Sequence, residues 1–358
     1  MRIHIPSDFV KENTDRRSLF ILVRPFWEAG VFLDNTALKK HWGLDEKSFH
    51  FTPTPEDADM ICLPLPLQEY FKNIDTTRFL KNLLQDAFRR SMIVYGYVSG
   101  DFGEEIYDHP QLRIFRMGGF HSQLSSRHQG FPVALSDHLP NLFVSEDIAA
   151  RDWKSKPVIG FCGHASTDPI KSVKEHAKTF IENTRRFFQK PFRRDYEPLF
   201  ASALERARLL RTLESSLALE TNFIYRRHYR AGARNEEEQR RTTIEYYANI
   251  RKSDYVVCVR GGGNFSVRFY ETLMMGRIPV FINTDCLLPF PEIIPWKEHM
   301  VWVEWQERHR IAEKILDFHG SLSPEKFIEL QHRNRRLWKE TLSVAGILSS
   351  LRNHLYGD

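Results

Sequence analysis

Short apolar runs recur along the chain between longer stretches of mixed polarity. In the first part these runs are residues 19–23 (LFILV), 60–63 (MICL), 92–97 (MIVYGY) and 112–115 (LRIF). Runs this short, bounded by Pro and Gly, predict buried parallel strands of an open α/β sheet rather than alternating, half-wet strands. Residues 145–157 then turn polar and predict a linker. A second series follows, with predicted strands at 157–162, 222–225, 254–259 and 278–282. Phe200, Ala203, Leu204, Ala207, Leu210, Leu213 and Leu217 lie on one helical stripe, so a helix is predicted over 200–217. Residues 236–252 predict a charged helix, and 323–355 a helical tail rich in Arg and His. The pattern therefore predicts domains over 1–150 and 151–325, with a tail over 326–358 that packs back on the first domain. Two doubly wound, Rossmann-like halves facing a central cleft would bind their ligand in that cleft.

Composition narrows the class. With 358 residues, 42% hydrophobic and 27% charged, the chain suits two globular domains and not a disordered protein. Twenty-seven Phe and seven Trp supply enough apolar bulk for two cores. A net charge of +5 is too small for a dedicated nucleic-acid binder, yet suits nucleotide diphosphates or an anionic membrane surface. The first residues carry no apolar leader, and no run is long enough to cross a bilayer. Cys62, Cys162, Cys258 and Cys286 are far apart, without metal-ligand spacing, and read as reduced core thiols. A cytoplasmic protein, at most peripheral to the inner face of the membrane, is the expectation.

Residues 254–294 hold the densest chemistry. A strand runs into Arg260-Gly261-Gly262-Gly263, and a helix is predicted from about Asn264. Consecutive glycines admit a ligand close to the backbone and tolerate positive φ. Their N–H groups and the helix N-terminus would suit a diphosphate. Arg268 and Glu271 share a helix face, so a guanidinium could bind phosphate while a carboxylate accepts from ribose hydroxyls. A strand–Gly–helix turn alone is only a tight connection, Ser266 alone only a helix-start residue, and Arg268 with Glu271 alone only a surface pair. The combination with Gly276-Arg277-Ile278-Pro279-Val280 favours a binding site.

This combination resembles the carboxyl-terminal signature of the exostosin family, glycosyltransferase family 47. The matching elements are Arg260-Gly261, Ser266-Val267-Arg268, Glu271, Gly276 to Val280 and Leu288-Pro289-Phe290. Looser similarity extends to Trp296, Ser323-Pro324-Glu325 and Asn334-Arg335, and to Ala58-Asp59 and Gly100-Asp101 in the first domain. The resemblance implies the GT-B fold of two Rossmann-like domains, a nucleotide-sugar donor, inversion at the anomeric carbon and no obligatory metal. It makes Arg260, Gly261, Gly262, Ser266, Arg268 and Glu271 the expected donor site, with a UDP-sugar the first expectation. Arg277 stands where the family often has Cys, and no amino-terminal membrane anchor like that of the animal members is expected.

Inversion needs a general base for the acceptor hydroxyl. Asp101, on a Gly-flanked loop after a predicted strand, and Glu28, just past the first predicted strand, are the candidates, with His121 third. Ordinary turn-forming and helix-start roles compete for the two acids. Arg226-Arg227-His228-Tyr229-Arg230 is either a solvated run or a further phosphate contact. The expected partners are a nucleotide-sugar and a glycan or lipid-linked acceptor, with peripheral membrane contact and no nucleic acid. Transfer of a fucosyl-like or polyol-phosphate group on the same fold, or silent binding, are the competing readings.

Overall fold

Two parallel sheets organise the computed structural model, which describes residues 1–101, 109–143, 145, 147–189, 196–226 and 232–356. The chain divides into two compact units. The first comprises Met1–Ala134, Leu287–Phe290 and Glu340–Asp358, and the second Leu135–Cys286 and Pro291–Lys339.

The first unit runs through β1 (Arg2–His4), β2 (Trp27–Glu28), β3 (Val31–Phe32), α1 (Thr36–His41), β4 (His50–Thr52) and β5 (Met60–Cys62). It continues with α2 (Leu67–Tyr70), α3 (Ile74–Arg89), β6 (Val94–Tyr97), β7 (Leu112–Arg116) and β8 (His128–Gly130). Six strands form one sheet in the order β4-β1-β5-β6-β7-β8, every pair parallel. Helix α3 begins where the Asn73 side chain accepts from the N–H groups of Asp75 and Thr76, and it buries Leu80, Leu84 and Ala87. The β2–β3 pair is a separate antiparallel hairpin. Its two turn residues, Ala29 and Gly30, both have positive φ, as a two-residue hairpin turn demands.

Residues 19–23 are not the predicted strand. All five side chains are buried, but the backbone forms turns leading into the 3-10 helix Arg24–Phe26. An unbroken apolar run reports burial and not conformation. The place beside β5 is taken by β1, whose lone buried residue, Ile3, sits between Arg2 and His4 and gives no apolar run to read.

The second unit comprises α4 (His138–Phe143), β9 (Val158–His164), α5 (Pro169–Gln189), α6 (Ser202–Glu214), β10 (Glu220–Arg226) and α7 (Glu236–Arg251). After these come β11 (Tyr255–Cys258), α8 (Val267–Met274), β12 (Ile278–Asn283), β13 (Val301–Glu304), α9 (Ile311–Gly320) and α10 (Pro324–Leu337). The sheet order is β10-β9-β11-β12-β13, again all parallel. Its core joins Phe161, Val257 and Val280 of the strands to Leu210 of α6, Ile311 of α9 and Phe327 of α10. Both units are doubly wound and Rossmann-like, as expected.

Residues 135–150 belong to the second unit, although the sequence suggested a boundary at 150. The polar stretch that follows is fastened there. The Arg151 N–H donates to Gln331 Oε1, and Gln331 Nε2 donates to the Arg151 carbonyl. The tail is shared between the units. Helix α10 stays in the second, whereas α11 (Val344–Tyr356) buries Val344, Ile347, Leu348 and Leu351 in the core of the first.

Candidate functional site

The second sheet ends, at the carboxyl edges of β9 and β11, in a group of arginines. Beyond β11 the chain passes Arg260 and the loop 261–265 before Ser266 opens α8. Arg260 is 3% exposed and is braced from within. Its Nη2 donates to Glu197 Oε2 at 3.3 Å and to the Gly262 carbonyl at 3.1 Å, and its guanidinium lies 4.8 Å from the Phe200 ring centre. Burial pushes its pKa down against the opposing pull of Glu197.

The loop is held by Asn264, which is fully buried. Its Nδ2 donates to the carbonyls of Thr284 and Asp285, and its Oδ1 accepts from the Thr284 hydroxyl at 2.6 Å. None of Gly261, Gly262 and Gly263 takes up the positive φ that glycine permits. At Gly261 a Cβ would meet nothing nearer than Arg206 Nη2, at 3.6 Å, so neither strain nor crowding requires glycine there. The helix starts at Val267, later than predicted, and the Ser266 side chain makes no capping hydrogen bond.

Arg268 and Arg206 differ from Arg260 in having no hydrogen bond to a carboxylate among the described residues. Arg268 reaches back from the first turn of α8 across the end of β9, with its guanidinium 4.3 Å from the Phe161 ring centre. Its Nη2 donates to the Cys162 carbonyl at 2.9 Å. A Cβ on Gly163 would stand 2.7 Å from that nitrogen, so glycine at the strand end is what lets the guanidinium lie there. Arg206, on α6, donates to the carbonyls of His164 at 3.3 Å and Arg260 at 3.1 Å. Burial, and then the charge of Arg268, push its pKa down to about 10, so it remains a cation at neutral pH. Among the described residues neither Arg206 nor Arg268 has a salt-bridge partner, and the Nε of each is buried without a hydrogen-bond partner. The hydrogen bonds of both guanidiniums go only to carbonyl oxygens, although Glu175 acts on Arg206 and Glu271 on Arg268 through space, so the pair can still offer donors to an anion.

Glu271 follows Arg268 by one turn of α8. Its two oxygens accept from the hydroxyls of Tyr246 and Tyr247 on α7, the latter at 3.0 Å. Burial, and then Glu271 itself, push both phenols well up, so they stay protonated donors. The carboxylate is thereby oriented and still has lone pairs to offer a ligand hydroxyl.

The structure thus brings together Arg260, the glycine loop, Ser266, Arg268 and Glu271. Arg206 was not anticipated, because it lies on a different helix, far from the loop in sequence. Asp101 and Glu28 belong to the first unit: Asp101 is exposed, and Glu28 is half-buried in the hairpin and accepts from Asn35 Nδ2 at 2.5 Å. His121 is exposed at the start of a short 3-10 turn. Residues 227–230 of the Arg-rich cluster lie outside the described residues, while Arg226 is engaged by the Thr242 carbonyl and Glu245.

Residues 184–317 match the Exostosin GT47 domain. The exostosin-like stretch runs from the end of α5 into α9 and contains all six residues that the sequence suggested for a donor site, together with Arg206. Exostosin-1 of Drosophila melanogaster is 27% identical over 105 residues, 29% of this chain and 13% of that protein. Probable glucuronosyltransferase 47 A of Physcomitrium patens is 37% identical over 86 residues, 24% of this chain and 18% of that protein. The matches span less than a fifth of the length of these curated relatives. Among solved structures, a glycosyltransferase from Rickettsia africae aligns with 100% of this chain and 98% of that chain, at 10% identity and a TM-score of 0.34.

Proposed function

We propose that the chain is an inverting glycosyltransferase with the GT-B fold, moving a sugar from a nucleotide-sugar donor to a glycan or lipid-linked acceptor in cell-surface polysaccharide synthesis. The observation that carries this reading is the pair Arg206 and Arg268, two partly desolvated cations at the carboxyl edge of a parallel sheet, where open α/β sheets bind ligands. The donor diphosphate binds there, and Glu271, steadied by two tyrosines, accepts from the ribose hydroxyls. Arg260 and Asn264 shape the loop behind them.

In the reaction the acceptor oxygen bonds to the anomeric carbon as the bond from that carbon to the donor diphosphate breaks. The acceptor proton passes to a carboxylate, for which Asp101 and Glu28 are the candidates. The negative charge gathering on the leaving diphosphate is met by Arg206 and Arg268, which supports catalysis without a metal. A UDP-sugar is the first donor to try, and the cytoplasm the proposed location.

A thermal-shift series with UDP-, GDP-, CMP- and dTDP-sugars tests this reading. One nucleotide family should raise the melting temperature, with chelator making no difference. Arg268→Ala should weaken that donor by about a hundredfold, the loss expected for a charge-assisted contact to phosphate. Full donor binding by Arg268→Ala would refute the site.

A further inference from the structure

Helix α5 rests on the protein by its polar side. Glu175, Thr179, Glu182, Asn183 and Arg186 share one face, and that face is turned inward. Glu175 accepts from the Ala203 N–H, Asn183 exchanges two hydrogen bonds with the backbone of Glu197, and Arg186, 3% exposed, pairs with Glu182 at 3.2 Å. The opposite face carries Ile170, Val173, Phe180, Ile181, Phe187 and Phe188, which are 49 to 79% exposed. Their spacing makes a single stripe along the helix, with Thr184 in its middle, whose hydroxyl donates to the Phe180 carbonyl at 2.8 Å. A helix that merely covers a core would be turned the other way, and an apolar strip facing water marks a binding surface.

The flank of the stripe says what it binds. At 100° per residue, Lys171, Lys174, Lys178 and Arg185 fall side by side along one edge of it. An apolar stripe with aromatic residues and a basic edge fits the boundary between headgroups and acyl chains of an anionic bilayer. A second copy of the chain would cover the stripe but bring the same cationic edge with it.

We propose that α5 is a membrane-surface helix. Its phenylalanines and isoleucines enter the headgroup boundary of an anionic bilayer, and its three lysines lie over the lipid phosphates, with Arg185 held by Glu182 at 2.9 Å. This assignment concerns a helix turned to solvent and stands apart from the donor-site reading.

Flotation of the full chain with vesicles of phosphatidylglycerol and phosphatidylcholine, against phosphatidylcholine alone, tests it. The wild-type chain should float with the anionic vesicles. Phe180→Ser with Ile181→Ser should weaken that binding by at least about tenfold. Lys174→Gln with Lys178→Gln should reduce the preference for phosphatidylglycerol. These positions are exposed, so the variants should keep the wild-type melting temperature. Absence of flotation by the wild type, or equal flotation by the apolar variant, overturns the proposal. So does a dimer seen by ultracentrifugation without vesicles and abolished by Phe180→Ser with Ile181→Ser, which would assign the stripe to a second copy.

Discussion

The two edges of the second sheet use the same residue type for opposite ends. At the amino edge, where β9, β11 and β12 begin, Arg277 is 1% exposed and its guanidinium is saturated. It donates to the carbonyls of Arg251, Ala149 and Gly276 and to Gln331 Oε1. Beside it Asp254 takes the Arg151 Nε and the Val158 N–H, so the starts of the strands and the preceding stretch are sewn together. At the carboxyl edge Arg206 and Arg268 have carbonyl contacts, a buried Nε each without a partner, and each other's charge. The saturated guanidinium at the amino edge is structural, and the pair at the carboxyl edge is where the proposed donor site would draw its hydrogen bonds.

The largest break in that comparison should come from Arg277→Ala. Its removal strands several buried carbonyls and opens a cavity, and should cost about 3 kcal/mol or more in urea unfolding. The folded remainder should keep wild-type affinity for the donor. A variant that retains stability but loses the donor would show that the amino edge takes part in binding after all. Gln331 and the carbonyls of Ala149 and Arg251 form a socket shaped to a guanidinium, which a shorter side chain could not fill.

Much of this was legible before the structure. The strands over 60–62, 94–97, 158–164, 255–258 and 278–283 show as apolar runs because parallel strands are buried on both faces. Arg260, Arg268 and Glu271 could be read from spacing, since one strand, one loop and one helix hold them all. Arg206 could not, because its place depends on how α6 packs over β9. Helix α5 was missed for another reason. Its apolar positions recur at helical spacing, but mixed with charge on the remaining face, and its buried side is the polar one. The run at 19–23 errs in the opposite sense, since burial there comes without a strand.

A gentler test leaves every arginine in place. Gly163→Ala puts a methyl group where the Arg268 guanidinium lies, and the end of that flexible side chain must move. A strand tolerates alanine, so the melting temperature should stay within about 2 °C. Donor affinity should fall by about tenfold, roughly 1.4 kcal/mol, as the phosphate contact is displaced. Unchanged affinity would mean that Arg268 need not lie across the end of β9 to serve the ligand.

The smallest effect should be a dependence on pH, with one histidine at each edge. His138 packs 4.7 Å from the ring of Tyr247, which holds Glu271, and His299 pairs at 2.8 Å with Asn334, which donates to the Arg277 carbonyl. Burial lowers the pKa of both below the ordinary 6.5, against the opposing pull of Glu271 and Asp137 on His138 and of Asn334 on His299. Well above 6.5 both rings are neutral, folded or unfolded, and pH hardly matters. As pH falls through 6.5 the unfolded chain takes up protons first, so stability declines until the lower folded-state values are reached. Half-buried His4 of the first unit, its pKa lowered by desolvation, acts in the same direction. Melting temperatures from pH 7.5 to 5 should therefore decline. His138→Phe, which keeps an aromatic ring beside Tyr247, should remove only the share belonging to the carboxyl edge. An identical decline in that variant would leave His138 no part in the acid sensitivity, and would place the titrating group on the amino edge or in the first unit.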